Sequence, residues 1–204
     1  AADGLAPTPR SPLLPKVMRL AVIILYTAGL RRGELVRLTL DDVEPVTGLL
    51  HIRASKFHKS RLVPLSPDAG AELRAYLHYR LAPPFDISSY APLLCNGKGG
   101  GHGYTGAGMG EAINRLFMVA KIVDDEGNRP HVHDMRHGFA IQALMRWYRE
   151  GVDVQSYLPR LAMYMGHVSI VSTAHYLHFV PNLRELASDR FQAVYGQLIE
   201  ELST

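Results

Sequence analysis

The stretch Gly166-His167-Val168-Ser169-Ile170-Val171-Ser172-Thr173-Ala174-His175-Tyr176 sets a tyrosine nine positions after a histidine that follows a glycine. Upstream lies His133-Asp134-Met135-Arg136-His137, where a histidine and an arginine three apart share one face of a helix. A phenol, two imidazoles and a guanidinium brought together make a site able to attack a phosphodiester. The arginine holds the phosphate, the imidazoles move protons and the tyrosine is the nucleophile. Two further basic elements suit the same chemistry. Arg31 stands in Ala28-Gly29-Leu30-Arg31-Arg32-Gly33-Glu34-Leu35, and Lys56 in Ser55-Lys56-Phe57-His58-Lys59-Ser60-Arg61-Leu62-Val63-Pro64-Leu65.

Around these motifs the spacing of apolar residues predicts a mainly helical chain. Ser11-Pro12 reads as a helix start, residues 13–28 as a mostly apolar helix with Pro15 in its first turn, and Gly29 as its stop. Arg31 then emerges at the start of a short helix over 33–38, where backbone N–H groups favour an anion. Residues 49–54 and 61–65 are rich in β-formers around a polar turn and predict an antiparallel hairpin with Lys56 near its tip. Ser66-Pro67 opens a helix to about Arg80, with Ala69, Leu73, Tyr76 and Leu77 on one face. Residues 97–110 hold eight glycines in fourteen positions and read as a flexible loop. Helices are expected over 107–123, from near His133 to a stop at Gly151, from Pro159 to Gly166, and over the segment carrying Tyr176, with Ser169 as its cap. Residues 182–202 repeat Leu183, Leu186, Phe191, Val194, Leu198 and Leu202 in a stripe that needs a partner surface.

With 204 residues, 47% hydrophobic and 20% charged, the chain fits one domain with short extensions. A net charge of +3 does not by itself identify a nucleic-acid binder, so the distribution of charge matters more. No acidic residue lies between Glu44 and Asp68 or between Asp153 and Glu185, and both windows hold proposed site segments. Approaching phosphates would favour such gaps, although gaps of this length also arise by chance. The single cysteine, Cys95, excludes an internal disulfide, suits a reducing cytoplasm and reads as a structural thiol. The apolar run over 20–28 is too short to span a bilayer.

Several other chemistries fail on spacing. Gly101-His102-Gly103-Tyr104-Thr105-Gly106 matches G-x-G-x-x-G, but nothing strand-like leads into it. Gly97-Lys98 is followed by Gly99 and not by Ser or Thr, which excludes a Walker A loop. His131-Val132-His133 lacks the Asp and His placement of a metallohydrolase motif, and Arg136 within it would repel a cation. No metal and no cofactor are expected.

In the order Arg31, Lys56, His133, Arg136, His167, Tyr176, the chain resembles the tyrosine recombinase (phage integrase) family, from about Leu13 to the C-terminus. The resemblance implies an α+β fold, mainly helical, with a small antiparallel sheet at one edge. Residues 1–12 would be a linker from a missing N-terminal DNA-gripping domain, 13–180 the catalytic domain, and 181–204 a C-terminal helix packed on its own domain or exchanged between protomers. Relative to the compact family pattern, the stretch from His133 to His167 is about one or two helical turns longer. The implied activity is metal- and ATP-independent strand exchange through a 3′-phosphotyrosine. Arg31 and Arg136 would hold the scissile phosphate, His133 accept the Tyr176 proton, His167 hydrogen-bond the phosphate and Lys56 protonate the leaving 5′ oxygen. Lys59 competes with Lys56 for that role if the hairpin register shifts. Arg32, Arg53, His58, Lys59 and Arg61 are the candidate DNA contacts. The implied partners are double-stranded DNA with specific recombination sites and a homotetramer on paired sites, monomeric without DNA. A type IB topoisomerase and a DNA-binding module without catalysis are the alternatives.

Overall fold

A computed structural model describes residues 1–9, 11–53, 60–97, 99–167, 173 and 176. Ala1–Phe139 with Tyr164–Gly166 pack as one unit, and Ala140–Met163 with His167–Thr204 as a second. The fold is α+β, with six α-helices and one three-stranded antiparallel sheet among the described residues.

In the first unit, helix α1 (Leu14–Thr27) is the central element. Val17, Met18, Leu20, Ala21, Ile24 and Leu25 recur three and four apart, and each is at most 1% exposed. The helix starts three residues after Ser11. That residue's hydroxyl is engaged with the Tyr104 phenol at 2.8 Å instead of capping, and Pro15 takes the first turn. Gly29 ends the helix with φ +61°, and a Cβ there would stand 2.4 Å from the Phe139 ring. Both the backbone conformation and the close approach require glycine.

The sheet runs β1 (Val43–Glu44), β2 (Leu49–Ile52) and β3 (Arg61–Pro64), with Leu50 opposite Val63 and Ile52 opposite Arg61. Strand alternation puts Leu50, Ile52 and Val63 on the buried face, and Arg61 shares that face. The expected hairpin is present and gains β1 as a third strand. Lys56, His58 and Lys59 lie outside the described residues.

Helix α3 (Pro67–Arg80) is capped by Ser66, whose Oγ accepts from the Ala69 N–H at 3.3 Å. Its buried face is Ala69, Leu73, Tyr76 and Leu77, and it continues to Arg80, which is 0% exposed. That guanidinium donates to the carbonyls of Pro92 (3.1 and 2.9 Å), Asp86 (2.6 Å) and Gly100 (3.3 Å). The glycine-rich segment is therefore anchored. Its Gly99 carbonyl accepts from Asp86 N–H and its His102 carbonyl from Asn96 N–H. The helix expected from 107 is present as α4 (Gly106–Val119), which takes in Gly106, Gly108 and Gly110 behind a Thr105 cap. Burial of Met109, Ile113, Leu116 and Phe117 outweighs the poor helix propensity of glycine. The far end stops at Val119 and not Val123, since Lys121 turns to φ +54° and Ile122 N–H closes onto the Phe117 carbonyl.

Arg80→Ala should destabilise the protein by at least ~3 kcal/mol, because it strands buried carbonyls that cost about 1–3 kcal/mol each when left unpaired. Urea denaturation measures this, and a loss below 1 kcal/mol would mean that water replaces the guanidinium.

Helix α5 (Asp134–Arg149) begins just after His133, and Gly151 follows it at φ +80°. Helix α6 (Val154–Met165) starts five residues before Pro159, where it was expected to begin. Asp153 explains the shift, for its Oδ1 accepts from Gln155 N–H at 3.1 Å and its carbonyl from the Ser156 hydroxyl at 2.8 Å. In the second unit Trp147 packs edge-on against Tyr157, with ring centroids 5.2 Å apart. The helix expected over 182–202 and the Ser169 cap lie outside the described residues.

Candidate active site

Arg31 is the N-cap of the short helix α2 (Arg32–Leu35), and Glu34 in its first turn is 3% exposed. The Glu34 carboxylate accepts the Arg31 backbone N–H at 2.9 Å and Arg31 Nη1 at 2.8 Å. It also accepts both terminal nitrogens of Arg61, at 3.0 and 2.9 Å. One buried anion thus sits between two guanidinium groups, the fork geometry that carboxylates bind best. Burial alone would raise the Glu34 pKa, but the hydrogen bonds from Arg61 and from the Arg31 backbone outweigh it and hold the group down at about 2.

The carbonyls at the end of α6 and just past it are the second feature of the site. Arg61 Nε donates to Tyr164 O at 2.7 Å, Arg136 Nη2 to Met165 O at 2.5 Å and Arg31 Nη2 to Gly166 O at 2.8 Å. Three successive carbonyls, the last two of α6 and that of Gly166 just past it, each meet one arginine. Arg136 is 2% exposed and donates its Nη1 to Gly29 O, just past α1. Two expected site arginines from distant motifs, Arg31 and Arg136, therefore converge on adjacent peptide units, directly before His167 in the chain.

His133 precedes α5 and packs edge-on against His137, ring centroids 4.6 Å apart. Burial lowers its pKa first, and the nearby His137 and Arg136 charges lower it further. The ring is neutral at pH 7, the form that accepts a proton. Tyr164, stacked on Phe139 at 5.3 Å, has its pKa pushed up to about 12 by burial and so remains a protonated phenol.

In the second unit, His167 N–H bonds Ala162 O at 2.8 Å, and its Nδ1 lies 2.7 Å from the Thr173 hydroxyl. Its ring lies nearly parallel to that of Tyr176, with centroids 6.2 Å apart and planes at 20°. Tyr176 is 4% exposed and Thr173 is fully buried. Thr173 orients the imidazole, a contact that its hydroxyl six positions on could have suggested but that needed the turn geometry.

Two of the expected DNA contacts are paired with carboxylates. The Arg61 side chain is 11% exposed and committed to Glu34 and Tyr164 O, while Arg53 pairs with Asp42 at 2.5 Å and Asp41 at 2.7 Å. The acid-free window in sequence is thus supplied with carboxylates from outside it. Arg32 is exposed on α2 against α4. Among the described residues no group of three or more His, Cys, Asp or Glu stands together as a metal cluster, and no helix is long and apolar enough to cross a membrane.

Glu34 couples this site to acid stability. Its folded pKa of about 2 lies below the reference 4.5, so its contribution is full above about pH 4.5 and is lost as pH falls toward 2. A shift of this size corresponds to about 3 kcal/mol. Chemical denaturation between pH 2.5 and 6 should show a shallower acid slope in Glu34→Gln than in the native protein. Parallel slopes would place the acid sensitivity in other carboxylates.

The model of the family described as Phage integrase family matches residues 8–182. The y4rE protein of Sinorhizobium fredii is 35% identical over 90% of this chain and 57% of its own length. The tyrosine recombinase XerA of Thermococcus kodakarensis is 32% identical over 78% of this chain and 49% of its own. A crystal structure of XerA recombinase superposes with a TM-score of 0.67 at 26% identity, covering 86% of this chain and 56% of that one. The chain spans about half the length of the curated relatives it matches.

Proposed function

Because this chain belongs to the phage integrase family, we propose that it is the catalytic part of a site-specific DNA recombinase working through a 3′-phosphotyrosine. The observation that carries the reading is the convergence of Arg31 and Arg136 on the Gly166 and Met165 carbonyls, immediately before His167. A guanidinium that accommodates a carbonyl oxygen accommodates a phosphate oxygen more strongly, since the acceptor then carries full charge.

In the proposed reaction Tyr176 Oη attacks the scissile phosphorus. The O–P bond forms as the bond to the 5′ oxygen breaks. His133, neutral at pH 7, takes the phenol proton, which otherwise stays on up to a pKa of about 10. Arg31 and Arg136 hold the non-bridging oxygens and the charge that builds on them. His167, oriented by Thr173, donates to the same phosphate, and Lys56 protonates the departing 5′ oxygen. The phosphotyrosine conserves the energy of the broken bond, so a second 5′ hydroxyl can reverse the step without a nucleotide triphosphate. Glu34 and Arg61 are positioning residues, which hold Arg31 and the segment leading to His167. The proposed substrate is double-stranded DNA bearing paired recombination sites, bridged by a homotetramer, with Arg32, His58 and Lys59 as contacts to its backbone. Residues 181–204 are proposed to pack on their own domain or on a neighbour.

The deciding experiment incubates the full-length protein, in EDTA, with nicked suicide duplexes drawn from DNA flanking its gene. A denaturation-resistant adduct on the 3′ side of the cut and exchange between two sites are expected. Relaxation without exchange would make it a topoisomerase, and DNA binding without any adduct would make it a passive binder.

A further inference from the structure

We propose that the cleft between Arg32, Asn114, His131 and His133 receives a DNA phosphodiester neighbouring the one that is cleaved, with Arg32 and Asn114 as its contacts. This rests on the functional reading above.

The cleft holds about 280 Å³ and is floored by Leu30 and Val132, with Gly33 at its edge. That is room for a phosphate and its sugar and less than drug-sized ligands occupy. Its lining carries no carboxylate. Arg19, Arg31, Arg53 and Arg61 each pair with an acid, whereas Arg32 has no carboxylate partner among the described residues. The acids nearest the cleft residues in sequence, Glu34 beside Gly33 and Asp134 beside His133, are engaged. Glu34 is held by Arg31 and Arg61, and Asp134 accepts the His131 backbone N–H at 2.7 Å.

Helix α4 is shaped to seat this cation. A Cβ at Gly110 would stand 2.5 Å from Arg32 Nη1, and one at Gly106 would stand 3.7 Å from Nε. These glycines are one helical turn apart, and Asn114 continues the same face one turn further. The bare strip lets the guanidinium lie flat along the helix toward Asn114, so a planar fork and an amide face one opening. His133 lines that opening as well as serving the proposed proton transfer. Phosphates of one strand follow each other at about 3.4 Å of rise, which brings the next one beside any group that addresses the scissile phosphate. An arginine fork can also read a guanine edge, but a cleft without a carboxylate and beside the reacting phosphate favours the backbone.

The test uses full-length protein in the Tyr176→Phe background, measuring affinity for DNA that carries a single neutral methylphosphonate walked across the phosphates flanking the cut. At one flanking position the neutral group should weaken binding about tenfold, and Arg32→Ala should weaken binding about as much. The two changes together should cost no more than either alone. Gly110→Ala provides a variant that cannot act through misfolding. Alanine favours the helix, so its melting temperature should hold or rise, while the displaced guanidinium loses part of the same contact. Additive losses at every phosphate would overturn the proposal, as would a loss confined to 7-deazaguanine substitution, which would make Arg32 a base reader. Failure of the functional reading looks different, for then the native protein forms no suicide adduct at all.

Discussion

Tyr176→Phe protein will bind its DNA site and form no covalent adduct with nicked suicide DNA, where the native protein forms one. The substitution removes a single oxygen from a side chain that is 4% exposed, and the ring that stacks near His167 remains. Shape and burial are conserved, so stability should change by about 1 kcal/mol, the net worth of a typical hydrogen bond. Chemistry changes completely, because a phenyl ring has no lone pair to attack phosphorus. The expected loss is therefore total within the sensitivity of the assay. Tyr164→Phe is the control. Its phenol, with a pKa of about 12, is poorly suited to ionise, and that variant should still form adduct. An adduct that persists in Tyr176→Phe and vanishes in Tyr164→Phe would move the nucleophile into the first unit.

Much of the frame could be read directly because it depends on local rules. The α1 stripe, the Gly29 stop, the Ser66 cap and the alternation of β2 and β3 each arise from residues within a few positions of one another. One boundary fell elsewhere, because Asp153 caps α6 ahead of Pro159, a residue that reads as a helix start.

The supporting residues of the site were legible only in part. Glu34 stands three positions after the Arg31 N-cap, the spacing of a capping box, and that signal could have marked it. Arg61 lies two positions before buried Val63 on one strand face, and Arg80 continues the stripe of Leu73, Tyr76 and Leu77. In both places an arginine on an apolar face announces an inward guanidinium in search of acceptors. What those groups bond could not be read. The carbonyl partners of Arg61, Arg136 and Arg31, at the end of α6 and on Gly166 just past it, lie 103, 29 and 135 positions away, and backbone oxygens carry no sequence signature.

That carbonyl arrangement sets the expectation for the two arginines. Arg31→Ala and Arg136→Ala should each lower cleavage by about 10²–10³-fold, the usual consequence of losing one donor to a developing anion, about 3–4 kcal/mol. Their structural consequences should differ. The Arg31 side chain is 24% exposed, and without it Glu34 keeps both bonds from Arg61, so folding stability should fall little. Arg136 is buried and caps Gly29 O and Met165 O, so its loss strands two carbonyls and should cost a further ~2 kcal/mol or more in denaturation. Single-turnover cleavage at saturating DNA separates the two effects, since occupancy is then complete. DNA affinity should drop far less than rate in Arg31→Ala, because a transition-state contact is worth most when the phosphorus is pentacoordinate. If affinity and rate fell together by the same factor, the arginines would be ordinary phosphate grips, and the carbonyls they now hold would say nothing about catalysis.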